Sequence, residues 1–231
     1  MKTKFFLLLI LFAISGIVNC QNNEFNGLVK CVSVGNGNTL WIVDSENHIF
    51  KRNGSEWIRV GGELKQISVI SDKLAWGINP ENGIAYWDGK DWLKIEGELK
   101  QISVGENGQV WGVNSQNEIY KYNGNNYWSR IGGSLKQVSV GTDGSIWGVN
   151  IENMVFKWSI SSNNWARIEG KFIYVCVVTN DQVYGITPMN SLMKWDGIKW
   201  NKILGSFIQI AANSLGIVYA IDTNNHLIKI N

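Results

Sequence analysis

LKQISVGENGQVWGVNSQNEIYKYNGNNYWSRIGG, residues 99–133, is the clearest of six copies of one unit in a chain of 231 residues, and its internal rhythm decides the fold. Along Gln101-Ile102-Ser103-Val104 the hydrophobic period is two, with Ile102 and Val104 on one face and Gln101 and Ser103 on the other. That is the alternation of a β-strand. Gly and Asn recur every few residues between β-branched and aromatic ones, a composition unsuited to a stable helix. The unit therefore divides into four strands, LKQISV, VWGVN, EIYKY and WSRI, separated by turns.

The aromatic residues keep the copies in step. The first falls at Trp41, Trp76, Trp111, Trp147, Tyr184 and Tyr219, at spacings of 35, 35, 36, 37 and 35 residues. A second series is Trp57, Trp92, Trp128, Trp165 and Trp200, and a third slot holds Trp87, Tyr122, Trp158 and Trp195; together they absorb all 12 tryptophans. Asn53-Gly54, Asp88-Gly89, Asn123-Gly124 and Asp196-Gly197 share one slot and favour the positive φ of tight hairpins. A tandem repeat of this length dictates architecture. Four antiparallel strands make one blade, and radial packing of blades hides their faces. The expectation is an all-β, six-bladed β-propeller of four-stranded antiparallel blades. The sixth copy stops after three strands, so Glu24-Phe25-Asn26 is expected to supply its fourth and to close the ring, removing a free edge.

Residues 1–20, MKTKFFLLLILFAISGIVNC, read as a secretory signal: basic Lys2 and Lys4, an apolar run, then small and polar residues. Cleavage after Cys20 leaves residues 21–231 as a single propeller domain, secreted or extracellular, with no later transmembrane segment. Loss of two lysines leaves 19 of the 21 basic residues against 19 acidic ones, which argues against nucleic acid as a partner. Cys31 and Cys176 remain, in equivalent strands of blades that should not be neighbours, so simple burial is favoured over a bridge.

The segment LKQISVGENGQVWGVNSQNEIYKYNG resembles the tectonin repeat, and the pattern is nearly intact over Ile67–Trp92, Ile102–Trp128 and Val138–Trp165. The resemblance covers essentially all of residues 21–231. It implies a six-bladed propeller lectin that recognises glycans or microbial surface glycoconjugates, bacterial lipopolysaccharide among them, in innate defence, and not an enzyme. The fifth and sixth copies depart from the pattern at Tyr184 and Tyr219.

Two residues beyond each tryptophan of the second series stands a cation: Arg59, Lys94, Arg130, Arg167 and Lys202. Period two makes them neighbours on one side of a strand. Trp57 with Arg59, Trp92 with Lys94, Trp128 with Arg130 and Trp165 with Arg167 are candidate glycan sites, an indole to stack on a sugar face beside a donor for hydroxyl or acidic groups. The competing reading is a solvated strand edge with a long stem lying over an indole. Asn79, Asn114 and Asn150, after each WGIN or WGVN segment, either hold the turn or offer donor and acceptor to a sugar. On this reading Trp128→Ala with Arg130→Ala lowers glycan binding and leaves the fold largely intact. The first aromatic series reads as packing between blades, and Lys51, Lys121, Lys157, Lys194 and Lys229 as solvated lysines. Asn53-Gly54-Ser55 is a glycosylation acceptor or an unused one. No catalytic or metal motif occurs, and no cofactor is implied; His48 and His226 look like variation at a turn. The rival to a lectin is a non-lectin extracellular interaction propeller that grips a protein through its flat face.

Overall fold

A computed structural model describes residues 24–230, and the signal-like residues 1–20 lie outside them. The described residues are all-β, without a helix. The first sheet is Val29–Val34, Leu40–Asp44, His48–Asn53 and Glu56–Glu63 (β1–β4), and the second Gln66–Ser71, Leu74–Ile78, Gly83–Trp87 and Trp92–Glu98 (β5–β8). The third is Gln101–Val104, Val110–Val113, Ile119–Tyr122 and Trp128–Ile131 (β9–β12), and the fourth Gln137–Val140, Ile146–Val149, Met154–Ser159 and Asn164–Lys171 (β13–β16). Tyr174–Thr179, Gln182–Ile186, Ser191–Trp195, Trp200–Ala212, Val218–Asp222 and Leu227–Ile230 (β17–β22) form one further sheet. Neighbouring strands are antiparallel throughout, in sequence order.

The propeller thus has five hydrogen-bonded sheets, which overturns the expected six-bladed ring. The cause is β20. Between the first and second sheets, and again between the second and third, only two residues, 64–65 and 99–100, separate an outermost strand from the next innermost one. In β20 the same positions, Phe207 and Ile208, stay in extended conformation, so a 13-residue strand pairs with β19 through its first half and with β21 through its second. The fifth and sixth repeats become one six-stranded sheet.

The N-terminal segment is also corrected. Glu24-Phe25-Asn26 is bent and adds no strand to the sheet that ends at β22. It docks instead through the Glu24 N–H on the Leu227 carbonyl at 3.2 Å, and Phe25 packs on Phe50 and Trp57 with ring centroids 5.1 and 5.4 Å apart. The next residues make the closure. The Val29 N–H donates to the Asn225 carbonyl at 2.8 Å, as Leu64 does to Asn47, Leu99 to Asn82 and Leu135 to Asn117. Each of these asparagines sits at φ between 64 and 75°, left-handed backbone that Asn tolerates. Tight packing at the same junction explains the glycine of each WG pair: a Cβ on Gly112 would stand 2.5 Å from a methyl of Leu99.

The innermost strands turn one edge toward the central axis, where the ladder has no further strand to pair with. Side chains of the preceding repeat complete it. Gln66 accepts from the Ile102 N–H and donates to the Ile102 carbonyl, both at 2.8 Å; Gln101 treats Val138, and Gln137 treats Val175, in the same way. Two residues on, Ser33, Ser68, Ser103 and Ser139 accept from the N–H groups of Val69, Val104, Val140 and Val177 at 2.9 to 3.0 Å. Gln209 closes the circle on Val32.

Both cysteines occupy slots of this inner lattice. Cys31 stands where four of the other repeats have Gln and accepts from the Ile67 N–H at 3.4 Å; Cys176 stands where the first four repeats have Ser. Both are buried, and among the described residues neither forms a disulfide.

Replacing Gln137, which is 6 % exposed, by Leu keeps its bulk but orphans two backbone groups of Val175. The expected loss is about 2 to 4 kcal/mol in urea unfolding, against about 0.5 or less for exposed Gln116→Ala. Burial pushes the Cys176 thiol from 9.0 to about 11. Because the fold favours the neutral thiol, this contribution is whole below about pH 9 and is lost as pH rises towards 11. A thiol reagent at pH 8 should therefore label neither cysteine in the native protein and both in denaturant.

Candidate functional site

The tryptophans proposed as sugar platforms prove to be parts of interlocking aromatic trios. At each trio the first-series residue of one repeat meets the third- and second-series residues of the next: Trp41 with Trp87 and Trp92, Trp76 with Tyr122 and Trp128, Trp111 with Trp158 and Trp165, Trp147 with Trp195 and Trp200. First- and second-series rings stand edge to face, at 83 to 89° and 6.2 to 6.4 Å. This is the geometry the ring quadrupoles favour. Trp41, Trp111 and Trp147 are fully enclosed, in keeping with the packing reading of that series.

The second-series indoles are half-buried and spend their N–H on the preceding repeat's backbone: Trp57 on Glu24, Trp128 on Glu96, Trp165 on Gly132 and Trp200 on Glu169, at 2.9 to 3.0 Å. Trp92 is the exception, its N–H enclosed and without a partner among the described residues. Where the sixth repeat meets the first, Tyr219 and Trp57 have Arg52 between them in place of the third aromatic, and Glu24 holds its guanidinium.

The cations beside these tryptophans are exposed but not alike. Lys94 reaches Glu96 at 3.1 Å and Arg130 reaches Glu118 at 2.9 Å, while Arg59 and Arg167 have no ion-pair partner among the described residues. In the series read as solvated, Lys51 and Lys194 lie over the rings of Trp41 and Tyr184 at 5.7 and 5.5 Å. The asparagines hold their turns: Asn79 Oδ1 accepts from the Gly83 N–H, Asn114 Oδ1 from Gln116 and Glu118, and Asn150 Oδ1 from Glu152 and Met154. That leaves the amide NH₂ of Asn79 and of Asn150 without a hydrogen-bond partner among the described residues, whereas that of Asn114 donates to Glu118 at 2.8 Å. In the first and sixth repeats the slot is Asp44 or Asp222, paired with His48 at 3.1 Å or His226 at 3.5 Å. Asn53 is exposed on its hairpin turn.

At one place Asn79, Trp92 and Lys94 converge. A groove of about 280 Å³ runs between the first two repeats, walled by Ile49, Gly62 and Leu64 on one side and by Asn79, Gly83, Ala85, Trp92 and Lys94 on the other, with Glu63 at its edge. It is open because Gly83 and Ala85 are small. The equivalent positions carry Glu118 and Tyr120 in the third repeat, Met154 and Phe156 in the fourth, Ser191 and Met193 in the fifth and His48 and Phe50 in the first. The repeats are therefore unequal at this site, a difference hidden by the regularity of the tryptophans. On the opposite side a second cavity, of about 440 Å³, lies at the seam of the ring beside Arg52, Asp72, Tyr219 and Lys229.

A family model described as Tectonin domain matches residues 28–199 and 107–229. No curated protein matches the chain. Among solved structures it is similar to YCF48 bound to D1 peptide, with 17% identity over 87% of this chain and 77% of that one at a TM-score of 0.62. It is also similar to YCF48 from Cyanidioschyzon merolae, with 12% identity over 87% and 81% at 0.62. The WD40 repeats of RRP9 align with 10% identity over 89% and 94% at 0.67. At such identities the likeness is one of fold, a β-propeller.

Because Trp165 both wedges two repeats and holds the Gly132 carbonyl, truncation acts on the fold first. Trp165→Ala should cost about 3 kcal/mol by chemical denaturation, and Trp165→Phe, which keeps a ring, clearly less. The paired change at Trp128 and Arg130 is accordingly a stability variant as much as a binding one.

Proposed function

Since the chain belongs to the tectonin family, we propose that it is a secreted lectin that binds glycans of microbial surfaces or other glycoconjugates, lipopolysaccharide among them. The observation that carries the reading is the groove between the first two repeats. It combines an apolar wall (Ile49, Leu64), an indole edge (Trp92), an amide (Asn79) and a cation (Lys94) in a space suited to one or two sugar rings. Sugars need that mixture, C–H faces against apolar surface and hydroxyls against polar groups. Binding centres on this groove, with weaker contributions from its counterparts, and a dense glycan surface raises the avidity of linked contacts by about 10² to 10⁴. The N-terminal segment 1–20 supports export, and the sequon at Asn53 fits that route.

A glycan array and a bacterial-surface binding assay on residues 21–231, with a salt titration, test the proposal. Saturable binding to a defined set of glycans is expected. An array without hits, together with a stable protein partner recovered from secretions, overturns it in favour of a protein-interaction propeller.

A further inference from the structure

The third repeat shows what the groove of the second lacks. There the Glu118 carboxylate accepts from Asn114 Nδ2 at 2.8 Å and from the Tyr120 hydroxyl at 3.0 Å, and it pairs with Arg130 at 2.9 Å. These hydrogen bonds and the neighbouring guanidinium hold Glu118 below the ordinary carboxylate range, the Asn114 amide first among them. In the second repeat Asn79 replaces Asn114 and Lys94 replaces Arg130, in the same register: Ala85 faces Lys94 across the strands as Tyr120 faces Arg130. The position of Glu118 is Gly83. The donor and the cation are kept and their carboxylate is missing.

Resting on the glycan-binding reading, we propose that the groove takes an acidic sugar, a uronic or sialic acid residue, whose carboxylate stands where Glu118 stands one repeat later. Two features serve that role. Asn79 Nδ2 has no hydrogen-bond partner among the described residues, its Oδ1 being occupied by the turn. Lys94 is 77% exposed and, among the described residues, is engaged only by Glu96, an exposed pair that exchanges at little cost. The acidic group at the groove is Glu63. One repeat on, Glu98 holds that position, and Arg130 keeps its carboxylate regardless. The space left by Gly83 and Ala85 admits the sugar ring that bears the acid.

The test uses methyl β-glucuronide and methyl β-glucoside, which differ at one carbon, in titrations with wild-type residues 21–231. Charge-assisted hydrogen bonding predicts about tenfold tighter binding of the acid. Gly83→Glu supplies the carboxylate from within and should abolish that preference. The atoms a Cβ there would meet first belong to the Asn79 side chain, at 2.9 to 3.2 Å, and Glu118 occupies the same place beside Asn114, so the variant is expected to fold as the third repeat does, which its melting temperature checks. Lys94→Ala, which leaves the backbone untouched, should likewise bring the two sugars to parity. Equal affinities in the wild type, or a preference that survives both variants, overturn the acidic-sugar assignment and leave the lectin reading standing. Binding of neither sugar, with an array empty of acidic and neutral glycans alike, sinks both.

Discussion

The inner edge of each repeat is the constraint on which the rest of the molecule depends. A strand whose edge faces the axis of a closed ring has backbone donors and acceptors cut off from any further strand, and each such group left unpaired in a dry interior costs about 1 to 3 kcal/mol. Here the Gln and Ser of one repeat complete the ladder of the next, two backbone groups per glutamine and one per serine. The bonds set both the distance between repeats and their direction, because each repeat grips its successor. The outer packing follows from that placement: once Gln101 holds Val138, Trp111 is set against Trp158 and Trp165.

Two junctions lack the glutamine and only one of them behaves differently: in the first repeat Cys31 takes the slot and the sheet ends in the ordinary way. The fifth repeat has Tyr174 in that slot, and beyond it the sheet does not end: β20 carries the ladder straight into the sixth repeat. A continuous strand supplies the continuity that side chains supply elsewhere. The same repeat places Cys176 in the serine slot.

Strand content, hairpin positions and the packing role of Trp41, Trp111 and Trp147 were all legible in the repeat, since periodicity and turn chemistry are local properties. The number of sheets was not. It turns on whether residues such as Phe207 and Ile208 break or continue a strand, and their composition does not distinguish them from Phe172 and Ile173, which do break it. Nor was the inner lattice legible. Gln101 and Ser103 alternate with apolar residues as solvated strand positions do, and only closure of the ring encloses that face. At the site the converse held. Asn79, Trp92 and Lys94 stood out because they recur, whereas the groove exists through Gly83 and Ala85, two of the positions where the second repeat departs from its fellows. Aligning the copies by difference rather than by consensus was the signal that could have found it.

The bond from Val29 to Asn225 is of the same kind as those from Leu64 to Asn47 and Leu99 to Asn82, so this contact of the seam matches an internal junction although no peptide bond crosses it. Where the polypeptide starts is therefore nearly arbitrary with respect to the noncovalent architecture. A circularly permuted gene, opened between Leu99 and Lys100 and joined across the old ends, encodes the same ring with its covalent gap moved to another spoke.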